Sequence, residues 1–265
     1  MISTLIILLS YSGTPLYEQT PEQVNTYLQE MQADNLSFEQ RLRRVVRDSI
    51  GTEYNGGPLG EGGGGAYDAD PLVDLKRVDC VTFVEQSVAL SVTPNFDDML
   101  TRLQGFRYKN GKINYEDRNH FMISDWIKNN PYCKDVTGEL GVSIQTLERT
   151  ISKKDFFQLV KAPNLGQDTP DQQVKLPIVP TALTKEAEAK LPDTALIVFV
   201  GKVDWLFALH CGLYLRDEEG QGYLAHASSK AESVTKTRLT DYMKSQENRY
   251  LGFAAYELTE PESIK

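Results

Sequence analysis

Residues 52–70 read T-E-Y-N-G-G-P-L-G-E-G-G-G-G-A-Y-D-A-D, and no regular element can run through them. Glycine loses too much backbone entropy in helices and strands. The stretch must be a loop, one in which backbone can lie close to something. A phosphate cradle fails on spacing, since there is no GxxxxGK[ST] and no lysine nearby. A flexible linker is the plain alternative, but Tyr54, Pro58, Leu59 and Tyr67 are unusual company in one.

Around this loop the chain has ordinary globular composition. Of its 265 residues, 40% are hydrophobic and 25% charged, which argues against whole-chain disorder, collagen or coiled coil. The formal net charge of −9 speaks against a nucleic-acid partner. Apolar runs such as Leu5–Leu9 fall far short of a membrane span, so no stable membrane insertion is expected. Met1–Ser10 looks like the apolar core of a secretory signal without its positive n-region. Residues 1–14 therefore read as a signal or disordered segment, with a first buried strand as the alternative. Residues 15–265 read most simply as one domain.

From Thr20 to Ile50 the pattern is helical. Thr20 and Pro21 form a good helix start, and Val24, Tyr27, Leu28 and Met31 fall on one face. A second helix begins at Ser37 in capping-box form, carries Phe38, Leu42, Val45, Val46 and Ile50, and ends at Gly51. After the glycine-rich loop, Val81, Val84, Val88 and Val92 have helical spacing behind Asp79, a good N-cap. Cys80 then occupies the first helical position. Residues 94–194 read as a long, mixed insert. It holds a helix over Phe121–Asn129, a strand within 140–151, a short helix over Lys153–Leu159, and an extended connection followed by a short helix over 175–192. Ala195–Val200 and Arg249–Tyr256 read as strands. Leu206–Leu215 and Gly222–Ser228 read as a hairpin about the turn at Asp217–Gln221.

Chemistry must come from a short roster: Cys80, Cys133 and Cys211, with His120, His210 and His226. Three scattered cysteines make neither a disulfide framework nor a CxxC zinc site. Cys133 and Cys211 could pair, their separation being open. A thiol at a helix N-terminus meets unpaired N–H groups and the positive end of the dipole, both of which favour thiolate. Most cysteines are nevertheless small buried hydrophobes. In the hairpin, Phe207, Leu209, Cys211, Leu213 and Leu215 alternate onto one buried face, which turns His210 to the other face beside Gly212. His210 and His226 are equidistant from Glu218, so an antiparallel pairing brings them close. One imidazole can then act as base and the other can orient it. Two solvated histidines, or a metal held by Cys80, His210 and His226, are the competing readings.

Asp79-Cys80, His210-Cys211-Gly212-Leu213-Tyr214-Leu215 and Leu224-Ala225-His226-Ala227-Ser228 together resemble the NlpC-type peptidoglycan cysteine peptidases. Three further stretches sharpen the likeness: Gly57–Gly62 (G-P-L-G-E-G), Asp79–Glu85 (D-C-V-T-F-V-E) and Arg118-Asn119-His120-Phe121. They are similar to one branch of that superfamily, long of unknown function, whose implied activity is that of an N-acetylmuramoyl-L-alanine amidase. The likeness extends over roughly residues 40–256. It implies an α+β, papain-like core in which a nucleophile helix packs on an antiparallel sheet, with a helical N-terminal region and an insert at about 94–194. It implies Cys80 as nucleophile, His210 as general base and His226 as its orienter, with the Cys80 N–H and Tyr54 as oxyanion donors. Asp79, Glu61, Arg118 and His120 become candidate substrate contacts, Arg118 suiting a stem-peptide carboxylate.

The endopeptidases of the superfamily read Asp-Cys-Ser and use that serine to hold a free amine. Val81 stands in its place here. This weakens a γ-D-glutamyl endopeptidase reading and favours cleavage between the muramoyl lactyl group and L-Ala, on small muropeptides, with or without a 1,6-anhydro end. A non-catalytic muropeptide-binding protein is the reading from another class. No cofactor or metal is expected, and the chain is expected to be a monomer, periplasmic or secreted.

Overall fold

The computed structural model describes residues 13–262; the reading of residues 1–14 as a signal or disordered segment lies almost wholly outside them. Two capped helices open the described chain. In α1 (Pro21–Ala33) the Thr20 hydroxyl accepts from the Gln23 N–H, and the Gln23 side chain accepts from the Thr20 N–H. In α2 (Phe38–Asp48) Ser37 and Gln40 repeat the arrangement. Each box satisfies two donors that a helix start would leave unpaired. The anticipated apolar faces of both helices are buried.

Two short strands follow, β1 (Glu53–Tyr54) and β2 (Arg77–Val78), paired in parallel across the ends of the glycine-rich loop. Next come α3 (Cys80–Val92) and α4 (Phe96–Arg107), the latter capped by Asn95. The sequence reading merged α4 into a mixed insert, although Met99, Leu103 and Phe106 mark a helical face. A π-helical turn, Met122–Trp126, runs into α5 (Ile127–Asn129) where one helix was expected. The rest of the insert is β3 (Cys133–Asp135), β4 (Gln145–Ile151), α6 (Lys153–Leu159), β5 (Gln172–Pro180) and α7 (Thr184–Glu188). The expected strand thus starts at Gln145, behind a 3-10 turn at Thr137–Glu139. The chain ends with β6 (Thr194–Gly201), β7 (Ala208–Arg216), β8 (Gly222–Ser228), β9 (Ser233–Thr237), α8 (Leu239–Ser245) and β10 (Tyr250–Leu258).

These strands form one sheet in the order β2-β1-β9-β8-β7-β6-β10-β5-β4, with β3 added to β10. Apart from β1 with β2, every pairing is antiparallel. The molecule is therefore α+β, as expected. Every residue of β6 is buried. Leu196, Val198 and Val200 join a core with α1 to α4 on one face, while Ala195, Ile197 and Phe199 join a second core with α7 and α8 on the other. A strand covered on both faces loses polar alternation, which explains its continuous apolar run.

The hairpin departs from strict alternation at one residue. Phe199 pairs with His210 and Val200 with Ala208, so Leu209 is an extra, bulged residue. It leaves the face of Cys211 and Leu213 and packs in the second core, over Gly201, where a Cβ would come 2.0 Å from its Cδ1.

Two features of the sheet build the site. First, α3 lies against β7 and β8. Second, the ladder between those strands stops short of the two histidines. Their ladder ends at Leu213↔Ala225. Beyond that point β7 stays on β6 through Gly212, Cys211 and His210, while β8 stays on β9 through His226, Ala227 and Ser228. The sheet forks, with one histidine on each arm.

The glycine-rich segment is no linker. It folds back on itself through Gly60 N–H to Pro71 O (3.1 Å), Glu61 N–H to Asp68 O (3.0 Å) and Gly62 N–H to Asp70 O (2.8 Å). A Cβ on Gly65 would stand 2.1 Å from the Asp68 carbonyl oxygen, so glycine is required for this return.

Candidate active site

Asp79 fixes the start of α3. Its Oδ1 accepts from the N–H groups of Val81 (3.0 Å) and Thr82 (2.8 Å) and from the Thr82 hydroxyl (2.9 Å). Its Oδ2 accepts from the N–H of Gly57 at 3.1 Å and so ties the glycine-rich loop to the same turn. Cys80 stands at the first helical position, where its N–H has no acceptor within the helix.

The imidazoles meet across the fork. His210 Nε2 lies 2.9 Å from His226 Nδ1, with the rings nearly perpendicular. That leaves His210 Nδ1 as the nitrogen for the Cys80 sulfur, with which His210 interacts. Burial, and then the charge of His210, hold His226 down to about 3. It is therefore neutral at working pH and can accept the His210 Nε2–H, which keeps Nδ1 of His210 free to take a proton. Gly212 makes the approach possible, since a Cβ there would stand 2.8 Å from the Ala225 carbonyl oxygen and 2.9 Å from His226 Cβ. The space beside Gly212 is filled by His226 itself. Gly212→Ala is expected to displace His226 and cost about 100-fold in kcat, with an unchanged far-ultraviolet spectrum.

An aromatic wall backs the pair. Phe199 stacks on His210 at 5.7 Å, and Tyr242 of α8 packs on His226 at 4.7 Å and on His210 at 5.9 Å. The Tyr242 and Tyr250 hydroxyls are 3.1 Å apart. Neither α8 nor this wall was anticipated, though Leu239, Tyr242 and Met243 carry the i, i+3, i+4 signal of a helix face.

The Cys80 thiol is pulled down to about 5. The Cys211 thiol beside it is the largest cause and His210 adds to it, against burial and the Asp79 charge. The helix dipole acts in the same lowering direction. Cys211 is buried and its Sγ hydrogen-bonds the Cys80 carbonyl oxygen at 3.2 Å. The cysteines are all free, so Cys133 and Cys211 are not bridged. The sequence placed Cys211 in the core correctly but gave no sign that its sulfur meets Cys80.

Tyr54 is half-buried, and its hydroxyl is pushed up by burial and by the charges of Cys80 and Asp79. The remaining candidates hold one another. Arg118 pairs with Glu61, donating Nε–H at 2.9 Å, and with Asp68 at 2.9 Å. Glu61 also accepts from the Tyr108 hydroxyl at 3.0 Å. Arg118 thus braces the glycine-rich loop through Glu61 and Asp68. His120 is packed among Tyr115, Phe156 and Phe157, with Nε2 2.6 Å from the Tyr115 carbonyl oxygen. Burial drives it down to about 3 and keeps it neutral. Among the described residues, no cluster of three or more His, Cys, Asp or Glu side chains could hold a metal ion.

A cysteine on a helix start, an imidazole that interacts with it and a second imidazole 2.9 Å from the first are groups that can supply a nucleophile, a base and its orienter. The sequence matches the AmiA-like family, described as N-acetylmuramoyl-L-alanine amidase-like, over residues 44–252. The chain belongs to this family. Membership supports a hydrolase of the amidase type. Solved structures share the fold. A protein from Legionella pneumophila superposes with a TM-score of 0.81 at 22% identity, over 91% of this chain and 96% of that one. An N-acetylmuramoyl-L-alanine amidase from Bacteroides uniformis gives 0.62 at 22% identity, over 84% and 99%. A putative xylanase from Bacteroides fragilis gives 0.64 at 24% identity, over 80% and 98%. No curated protein matches the sequence.

Proposed function

We propose that this chain is a cysteine amidase that hydrolyses the bond between N-acetylmuramic acid and L-Ala in peptidoglycan fragments. The observation that carries the reading is the 2.9 Å contact between His210 and His226 across the fork that α3 enters with Cys80. It supports a papain-like, NlpC-type core acting through Cys80, His210 and His226.

In the reaction, the Cys80 thiolate attacks the lactyl carbonyl carbon. The developing oxyanion turns to the Cys80 N–H, with the Tyr54 hydroxyl as second donor. His210, now an imidazolium steadied by His226, passes its proton to the leaving L-Ala nitrogen as the C–N bond breaks. A thioester remains. His210 then takes a proton from water, the hydroxide attacks the thioester, and the muramoyl acid leaves as Cys80 is restored. None of these steps calls on a cofactor.

Asp79 bears on which bond is cut. Three donors already fill its Oδ1, and its Oδ2 holds Gly57. With Val81 beside it, little acceptor capacity is left for the free amine of a truncated stem, which favours the amidase over the γ-D-glutamyl endopeptidase. A cavity of about 330 Å³ beside the glycine-rich loop is lined by Tyr67, Tyr115, Asn114 and Glu116. Tyr67 stacks on Tyr115 at 5.5 Å and remains 46% exposed, a flat apolar platform edged by polar groups that suits a sugar ring. In this reading Glu61 and Arg118 shape the wall of the cleft, His120 packs behind it, and the protein works as a periplasmic or secreted monomer.

The test is product identification. The protein is incubated with GlcNAc-anhydromuramoyl-tetrapeptide and with its reduced, non-anhydro counterpart, and products are read by mass spectrometry. Free disaccharide and intact stem peptide are expected. Disaccharide-dipeptide would establish the endopeptidase instead, and binding without turnover would establish a non-catalytic binder.

A further inference from the structure

The reaction above gives Cys211 no part, yet its thiol is buried against the backbone of the residue that carries the nucleophile. The side chain is 1% exposed and its thiol reaches the Cys80 carbonyl at 3.2 Å. The position is set by the sheet: β7 runs under α3, and Cys211 faces its first turn. A hydrophobe of similar size would fill the same space. The third thiol, Cys133, is buried in β3 and pairs with Leu258 on β10.

We infer that Cys80 and Cys211 form a reversible oxidative modification site, in which hydroperoxides convert the pair to a disulfide that switches the nucleophile off and shields it from over-oxidation. The inference stands on the placement of the two cysteines, the Cys211 thiol lying on the Cys80 backbone at the start of α3, and does not depend on which amide the site cleaves. Cys80 is the member that solvent reaches and that favours thiolate, so it is the one an oxidant meets. Its sulfur attacks the terminal oxygen of the hydroperoxide. The O–O bond breaks, the alcohol or water leaves with a proton, and Cys80 becomes a sulfenic acid, oxidised by two electrons as the peroxide is reduced. The Cys211 sulfur then attacks the Cys80 sulfur. The S–O bond breaks, and hydroxide leaves as water with the Cys211 proton. Two thiols and one hydroperoxide thus yield one disulfide, one alcohol or water, and one further water. Burial matters in this second step. It keeps Cys211 from external oxidants, and it leaves the sulfenic sulfur with a thiol at hand before a second peroxide arrives.

The full-length protein is treated with hydrogen peroxide, then examined by intact mass, by peptide mapping and by labelling of thiols before and after dithiothreitol. The expected product has lost only the two thiol hydrogens, its map links the peptides of Cys80 and Cys211, and dithiothreitol restores Cys80 labelling almost completely. In Cys211→Val and Cys211→Ser, chosen so that at least one keeps the packing of β7, the same treatment is expected to carry Cys80 to sulfinic acid, which dithiothreitol does not reverse. Cys133→Ala is expected to behave as wild type. Sulfinic acid on Cys80 in the wild-type protein, a link to Cys133, or equal recovery in the Cys211 variants would each overturn the inference.

Discussion

Cys80→Ala is expected to lower kcat by on the order of 10⁴-fold or more on any substrate the site accepts, with the melting temperature essentially unchanged. The expectation rests on one sulfur having no substitute. The Cys211 thiol lies deep behind Cys80, raised well above its ordinary range by the Cys80 sulfur and by burial, so it stays protonated. Cys133 is buried in β3, and burial drives its thiol up as well. The same contrast gives a pH signature. In wild type, iodoacetamide labelling of Cys80 is expected to rise through a midpoint near 5, where an ordinary thiol titrates near 8.5. The sign follows from the chemistry: thiolate is the reactive form, a lowered value leaves it populated at neutral pH, and reactivity falls only as pH drops below the midpoint. Protonation of His226 does not set this limb, because it is held down to about 3. Labelling of Cys80→Ala supplies the background from the other thiols. A midpoint between 8 and 9 would mean that neither Cys211 nor His210 acts on the sulfur as the geometry indicates.

The two halves of this site differ in how far the sequence discloses them. Cys80 is legible because a helix start is local: Asp79 caps, Thr82 completes the box, and the position of the sulfur follows. The histidine pair is legible only in parity. The ladder from Leu213↔Ala225 to Arg216↔Gly222 centres on Glu219, one residue beyond the Glu218 that the sequence suggested. Pairing about Glu219 sets His226 opposite Gly212, two residues from His210. A slip of one residue would have turned His226 to the other face, whereas an offset of two leaves both rings on the same side. Their contact is therefore diagonal, and it needs the glycine that the motif supplies.

Other parts are decided by distant segments and leave little local trace. The bulge at Leu209 answers to Gly201, on the neighbouring strand. The fork exists because β7 stays on β6 and β8 on β9 after their own ladder ends at Leu213↔Ala225, a property of the whole sheet. The family likeness makes Arg118 a candidate substrate contact, a guanidinium suited to a stem-peptide carboxylate. Its partners, Glu61 and Asp68, lie 57 and 50 residues away in sequence. The family likeness found the residues that meet at Cys80, while the physical roles of the flanking charges appear only once the glycine-rich loop has folded over them.

Arg107→Met is expected to destabilise the fold by about 3–5 kcal/mol, the cost of leaving one member of a buried ion pair alone, and to lower Tm by about 6–20 °C for a domain of this size. Arg107 lies 5% exposed against Glu85, itself 2% exposed, with Nη1 to Oε2 at 2.8 Å. Glu85 is on α3, one turn and a half beyond Cys80, and its other oxygen accepts from the Trp126 indole N–H at 2.8 Å. The second guanidinium nitrogen of Arg107 donates to the Leu59 carbonyl at 3.0 Å. One ion pair thus joins the nucleophile helix, α4, the π-helical turn and the glycine-rich loop. Burial pushes the Glu85 carboxyl up, and Arg107 and Trp126 pull it back. Without Arg107 the carboxyl must take a proton or stand as a bare buried charge. The double variant Glu85→Gln with Arg107→Met separates charge from packing, because glutamine can still accept from Trp126 while no charge is left unpaired. It is expected to recover most of the lost stability, read as Tm and as the urea midpoint at constant slope. A double variant as unstable as Arg107→Met would place the loss in the Leu59 contact and the packing of α4. Recovered stability with low activity would show instead that the Leu59 tether, which the double variant still lacks, is what holds the loop in register with Cys80.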